Sequence, residues 1–333
     1  MARIPSNTIE QALERYEKRI QDAFLAAVQD HVNRINITAL IEALDAGDIE
    51  TAINIASINQ AVLYPVDAAI TSAFIESGQS IAASAPAYAA SFGFDGRATE
   101  AAEWAQSHVG GLITQVSDDQ RTAIRTVISE NISNGVNTRK SALEIAGRIG
   151  AGNRRQGGLI GLNGPQIQAV RNARDDLVNL DERYFTRELR DKRFDPLVKR
   201  AIRDGKPLSQ VDVDRVVGRY ADKQLAYRAN MIARTESITA LREGRRQGIE
   251  QAIAQGVMDP TAIVREWSAT MDKRTRRDHI IMDGRKVSGM IEPWVLPDGS
   301  RMMYPGDTSL NAAADQTIQC RCLEQYNVDW LRA

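Results

Sequence analysis

Ile263-Val264-Arg265-Glu266-Trp267-Ser268-Ala269 is the stretch on which the fold class turns. It follows Met258-Asp259-Pro260, and its β-branched and aromatic residues behind a turn read as a strand. The chain upstream reads almost entirely as helix. Downstream, Trp294-Val295-Leu296-Pro297-Asp298-Gly299-Ser300-Arg301-Met302-Met303 reads as a hairpin about a Pro-Asp-Gly turn, and 318–326 as a final strand. The expectation is a mainly α chain with a small C-terminal α+β module. Its parts would be a helical N-terminal region 1–96, a helical and arginine-rich part 97–257, and the module 258–333.

Working outward, Ile9, Leu13, Tyr16, Ile20, Ala23, Ala27 and Val28 recur at three- and four-residue intervals, the stripe of an amphipathic helix. Thr8 and Gln11 have the spacing of a capping box at its start. A second helix is predicted between Thr38 and Gly47, with Asp48 capping a third. The alanine-rich stretch 70–92 reads as soluble helices that pack in an intramolecular bundle or, alternatively, an oligomer contact. Ser117 and Gln120 predict a fresh capping box, leading a helix with Ile124, Val127, Ile128 and Ile132 on one side. Gly135 stops that helix, and Asn137 or Thr138 starts the next. The glycine-rich run from Gly150 to Gly158 has no Gly-Lys-Ser/Thr ending and reads as a flexible connector rather than a phosphate loop.

Composition narrows the function classes. Of 333 residues, 43% are hydrophobic and 26% charged, enough to bury a core in a soluble protein, and a formal net charge of −1 excludes bulk attraction to nucleic acid or membrane. No apolar run approaches the ~18–20 residues that span a bilayer, and the N-terminus has no secretory h-region. Cys320 and Cys322 are the only cysteines, so a disulfide framework is not expected and a reducing compartment fits. Local charge is less even: 183–206 holds nine basic residues against four acidic ones. Arg187, Arg190, Arg193, Lys199, Arg200 and Arg203 are candidates for phosphate contacts; the plainer reading is a solvated, salt-bridged face.

The C-terminal third carries an ordered series of motifs. Ile232-Ala233-Arg234-Thr235-Glu236 is followed by Trp267-Ser268-Ala269-Thr270-Met271-Asp272-Lys273-Arg274-Thr275-Arg276. Then come His279, Met282-Asp283-Gly284, Tyr304-Pro305-Gly306-Asp307 and Cys320-Arg321-Cys322. In this order and spacing they resemble the phage Mu protein F-like family of head-morphogenesis proteins. The stretch from Ser117 onward resembles the lead-in to that domain, so the resemblance covers roughly the last two thirds of the chain. It implies a minor head protein of a tailed phage that takes part in head assembly rather than catalysis. The implied partners are the portal protein and capsid or scaffold proteins, with phage DNA and further copies of the chain as additional contacts and no membrane. The implied location is the virion, in the head interior or at the portal vertex, after assembly in the host cytoplasm. Many family members carry a Cys-x-x-Cys where this chain has Arg276 and His279, so only the second position keeps a metal-ligand type.

Three chemical readings attach to these residues. His279, Cys320 and Cys322 offer one imidazole and two thiolates for zinc, with Asp272, Asp278 or Asp283 as a fourth donor; the alternative is two buried thiols and a packed histidine. On the predicted last strand, Cys320 and Cys322 would face one side. That strand is expected to return beside 263–269 and bring both sulfurs to His279, behind a helix-like run 273–278. Arg234–Asp272 and Glu236–Arg274 are the expected ion pairs. A DNA-binding or DNA-processing protein built on Arg234, Glu236 and His279 is the other function considered, but Glu236 lacks a paired carboxylate for such chemistry. No partners are evident for His31 and His108.

Overall fold

The computed structural model describes residues 2–3, 7–86 and 92–330. A short strand β1 (Ala2–Arg3) precedes α1 (Asn7–Arg34), α2 (Ile37–Asp45), α3 (Ile49–Ala56) and α4 (Tyr64–Ala83). α5 (Thr99–Trp104) runs through a π-helical turn into α6 (Gly110–Ser133), and α7 (Thr138–Ala146) follows. A two-stranded hairpin, β2 (Arg148–Ile149) and β3 (Arg155–Gln156), leads to α8 (Gly164–Val178), α9 (Asp195–Asp204) and the long α10 (Gln210–Ala254). The last part alternates β4 (Ile263–Ser268), α11 (Arg277–Met282), β5 (Lys286–Ser288), β6 (Trp294–Val295), β7 (Arg301–Met302), α12 (Ala314–Thr317) and β8 (Leu323–Val328). The protein is mainly α with a small C-terminal α+β module.

Helix boundaries follow local chemistry. The Asn36 side chain accepts from Ala39 N, Asp48 from Thr51 N and Asn137 from Lys140 N, each satisfying an orphan donor of a first turn. Asn163 and Gln166 form a reciprocal capping box, with Pro165 just inside the helix. α10 continues for 45 residues because no proline interrupts it.

The described residues gather into two compact units, each drawn from non-consecutive stretches of the chain. One unit comprises 22–65 and 111–229; a buried polar knot holds part of it. There Asn131 donates to Ser141 and Glu144, while Arg171 donates to Asn131 and pairs with Glu130 and Glu144. The other unit comprises 1–21, 66–110 and 230–333 and contains all the family-like motifs. Its main sheet has the order β1-β8-β4-β5, all antiparallel, with Arg265 opposite Tyr326 and Trp267 opposite Glu324. Burial along β4 alternates, so Ile263, Arg265 and Trp267 face inward.

Two apolar clusters anchor this second unit. Ile81, Ile249, Met258, Ile263, Tyr326 and Trp330 form one, and Trp267, Met282, Trp294, Leu296, Met302 and the two cysteines form the other. Burying each large side chain contributes about 1.5–3 kcal/mol. α10 approaches α4 closely where its residues are small. A Cβ on Gly244 would lie 2.1 Å from the Phe74 carbonyl oxygen, and one on Gly248 2.8 Å from that of Gly78. Ser77 donates to the Leu241 carbonyl at 2.6 Å across the same crossing.

Several local expectations are corrected. α1 begins at Asn7, so Thr8 lies within the helix instead of capping it. Ser117 is interior to α6, and its hydroxyl donates to the Ile58 carbonyl at 2.8 Å; a favourable cap sequence does not start a helix that is already running. The glycine-rich 150–158 run is not a free connector but carries the turn and second strand of the β2–β3 hairpin. The final strand starts at Leu323, because Gln319 adopts a left-handed conformation (φ 56°) and Cys320 N closes a turn on the Thr317 carbonyl. Part of the alanine-rich stretch, 87–91, lies outside the described residues.

Candidate functional site

The C-terminal module is built around two buried polar centres. The first lies on the paired strands. Arg265, with no exposed surface, donates to Glu324 at 2.9 Å, to the carbonyls of Gly289 and Met303 at 2.7 Å each, and to that of Glu292. Glu324 also accepts from Trp294 Nε1 at 2.6 Å and Tyr326 Oη at 2.7 Å. A charge inside a small sheet is tolerated only when so fully satisfied. Neither residue was singled out from the sequence, although the inward position of Arg265 between Ile263 and Trp267 was a readable signal.

The second centre is the Cys/His cluster. His279 lies within α11, and its Nδ1 is 3.6 Å from Cys320 Sγ and 3.4 Å from Cys322 Sγ, all three residues being buried. The return of β8 beside β4 brings them together as expected. The cysteines sit in the irregular segment before the strand and not on it. The Trp267 ring packs edge-on to His279 at 5.4 Å.

Arg242, from α10, donates to the Cys320 carbonyl at 2.9 Å and to the Cys322 carbonyl, and stands 3.6 Å from Cys320 Sγ. The two thiols share their protons unequally. The hydrogen bond from Cys322 holds the Cys320 thiol well below its ordinary range, helped by Arg242 and His279, while that same bond and burial push Cys322 up.

The donor set fits zinc at three positions. With Zn–S of ~2.3 Å and Zn–N of ~2.0–2.1 Å, a tetrahedral S···N edge is about 3.6 Å, matching the two observed separations. The aspartates expected as a fourth donor are engaged elsewhere: Asp272 with Arg321, Asp278 with Gln316, and Asp283 with Ala269 N. No further His, Cys, Asp or Glu joins the cluster among the described residues.

The remaining motif residues brace this centre. Tyr304 hydrogen-bonds Glu243 and, by burial, is held well above its ordinary pKa. Gly306 follows Pro305 with φ 83°, and a Cβ there would lie 2.5 Å from Arg242, so the glycine makes room for that guanidinium. Asp307 accepts from Met303 N, Ser309 N and Ser309 Oγ, closing the turn. Gly284 N donates to the Trp267 carbonyl at 2.8 Å.

The expected ion pairs are not those observed. Arg234 lies 3.9 Å from Glu17, and Glu236 meets His108 at 2.7 Å. Asp272 pairs with Arg321, and the Arg274 guanidinium has no partner among the described residues. His108 therefore does have a partner, and it stacks on Trp104 with ring centroids 4.8 Å apart. His31 bonds the Ala56 carbonyl at 3.3 Å. Arg234, Glu236 and His279 are each engaged by a different group, so they do not form a joint constellation.

In the arginine-rich part, Arg187 pairs with Asp176, Arg190 with Asp195, Arg193 with Asp191 and Arg203 with Asp204. Lys199 sits over the Phe185 ring and Arg200 is exposed. A cleft of about 680 Å³ in the unit made of 22–65 and 111–229 is lined by both signs of charge, with Arg148 and Arg174 both held by Asp214.

These observations define a helical protein whose long helix runs into a small antiparallel module closed by a buried Cys/His cluster. A family model, described as phage Mu protein F like protein, matches residues 192–324, which spans α10, the cluster and all the motifs of the ordered series. Over this segment the chain is similar to the Mu F-like family, which supports its relation to phage head-morphogenesis proteins. The match begins at Lys192, well after the expected lead-in at Ser117. No curated protein and no solved structure matches the chain. No helix among the described residues is long and apolar enough to cross a membrane.

Proposed function

We propose that the protein acts in the assembly of a tailed-phage head as a minor head protein, by binding the portal protein or inner capsid and scaffold proteins without chemical turnover. The observation that carries the reading is the coincidence of the family match with a module whose two buried polar centres are spent on internal bracing. Glu236, the one carboxylate of the enzyme alternative, is taken by His108. On this reading the protein resides in the virion, in the head interior or at the portal vertex, and self-association accompanies docking. Purified protein should co-sediment with portal oligomers or proheads. Hydrolysis of DNA or a nucleotide that Glu236→Gln abolishes would overturn the proposal.

A second reading concerns the cofactor: zinc as a structural clasp held by His279, Cys320 and Cys322. It is favoured by the two S···N separations close to a tetrahedral edge. When bound, the ion would add stability to the module by holding β8's approach to α11. Elemental analysis of protein expressed with added zinc should give one equivalent per chain, lost in Cys322→Ser. Metal-free protein that melts identically with and without zinc would rule the clasp out and leave two packed thiols.

A further inference from the structure

A groove of about 450 Å³ opens beside the Cys/His cluster, and four arginines line it: Arg234 from α10, Arg274 and Arg276 from the segment before α11, and Arg321 from between the cysteines. Asp315 is the one acidic residue of the lining. The positive charge there is only partly spent. Among the described residues, Arg321 alone is within hydrogen-bonding distance of a carboxylate, that of Asp272. Glu17 is 3.9 Å from Arg234 Nε, a nitrogen that is buried and makes no hydrogen bond. Arg276 donates to the Ile318 carbonyl, and the exposed Arg274 guanidinium has no partner among the described residues.

Converging guanidinium forks call for a compact anion with many acceptor lone pairs. A carboxylate has two oxygens and is satisfied by one or two forks, as Asp272 already is. A phosphate spreads its oxygens tetrahedrally, four in the free ion and two non-bridging ones beside two ester oxygens in a phosphodiester, so forks can approach it from several directions at once. No aromatic residue lines the groove, so it has nothing on which to stack a base, and recognition would be independent of nucleotide identity.

We propose that this groove is a phosphoryl-binding site of the C-terminal module, taking either the phosphodiester backbone of nucleic acid or free phosphate. The site is distinct from the 183–206 basic segment, five of whose arginines are paired with aspartates. It does not depend on the head-assembly reading, because it rests only on the charges of the groove.

The test uses the full chain, fluorescence anisotropy with labelled oligo-dT over a range of salt, and competition by inorganic phosphate. Arg274→Glu removes a partnerless exposed side chain and should leave the melting temperature unchanged; Arg276→Gln is the second variant, and Arg200→Glu the control outside the groove. Reversing one groove charge should weaken binding by about tenfold or more, since charge-assisted hydrogen bonds contribute ~1.5–3 kcal/mol each, while Arg200→Glu leaves it nearly unchanged. Oligo-dT binding that weakens with salt and is displaced by phosphate assigns the polynucleotide as source. Binding of inorganic phosphate alone, lost in Arg274→Glu, assigns free phosphate. The proposal fails if neither ligand binds, if Arg274→Glu and Arg276→Gln bind like wild type, if Arg200→Glu loses as much as they do, or if a polyglutamate peptide binds the groove as tightly as either phosphate ligand.

Discussion

Arg265→Met is the most informative perturbation of the module. The side chain it replaces has no exposed surface and serves four acceptors: Glu324 and the carbonyls of Gly289, Met303 and Glu292. Methionine fills comparable space but donates nothing, leaving three part-buried carbonyls short of a donor and Glu324 without its ion-pair partner. Removing one partner of a buried ion pair costs about 3–5 kcal/mol. For a cooperative unit of this size, that lowers the melting temperature by about 10 °C or more.

Urea unfolding followed by tryptophan fluorescence suits the measurement, because Trp294 donates to Glu324 and Trp267 lies in the adjoining cluster. Adding Glu324→Gln to the variant keeps an oxygen for Trp294 and Tyr326 but removes the uncompensated charge. The double variant should therefore recover about 1–3 kcal/mol of the loss. A single-variant cost below about 1 kcal/mol, or a double variant no more stable than Arg265→Met, would refute the view that this centre is held by charge satisfaction rather than shape.

Two further outcomes follow from the packing. Gly244→Ala places a methyl 2.1 Å from the Phe74 carbonyl oxygen, so α4 and α10 must separate, and a loss of about 1–3 kcal/mol or more in chemical denaturation is expected. At alkaline pH, burial pushes Tyr184 up to about 12, and burial with the hydrogen bond to Glu76 does the same for Tyr16. The unfolded chain releases these protons near pH 10 while the folded chain keeps them, so stability should fall as pH rises from about 10 to 12. A spectrophotometric titration in which every tyrosine ionises near pH 10 while the protein stays folded would contradict this.

Much of the local architecture was legible in the residues alone. The stripe from Leu13 to Val28, the caps at Asp48 and Asn137, strand β4 and the hairpin at Pro297-Asp298-Gly299 all rest on interactions within a few positions, which sequence spacing reports directly. The meeting of His279 with Cys320 and Cys322 followed from one correct long-range statement, that the last strand returns beside β4.

The choice of ionic partners was not legible. Glu236 takes His108, 128 positions away, instead of Arg274, and Arg242 reaches the cysteine turn because Gly306 leaves it room. Exposed pairs differ by only about 0–1 kcal/mol, so sequence alone leaves many partners nearly equivalent. Packing decides by distance. The same packing sets Arg234, Arg274, Arg276 and Arg321 along one groove, although they come from separate segments of the chain.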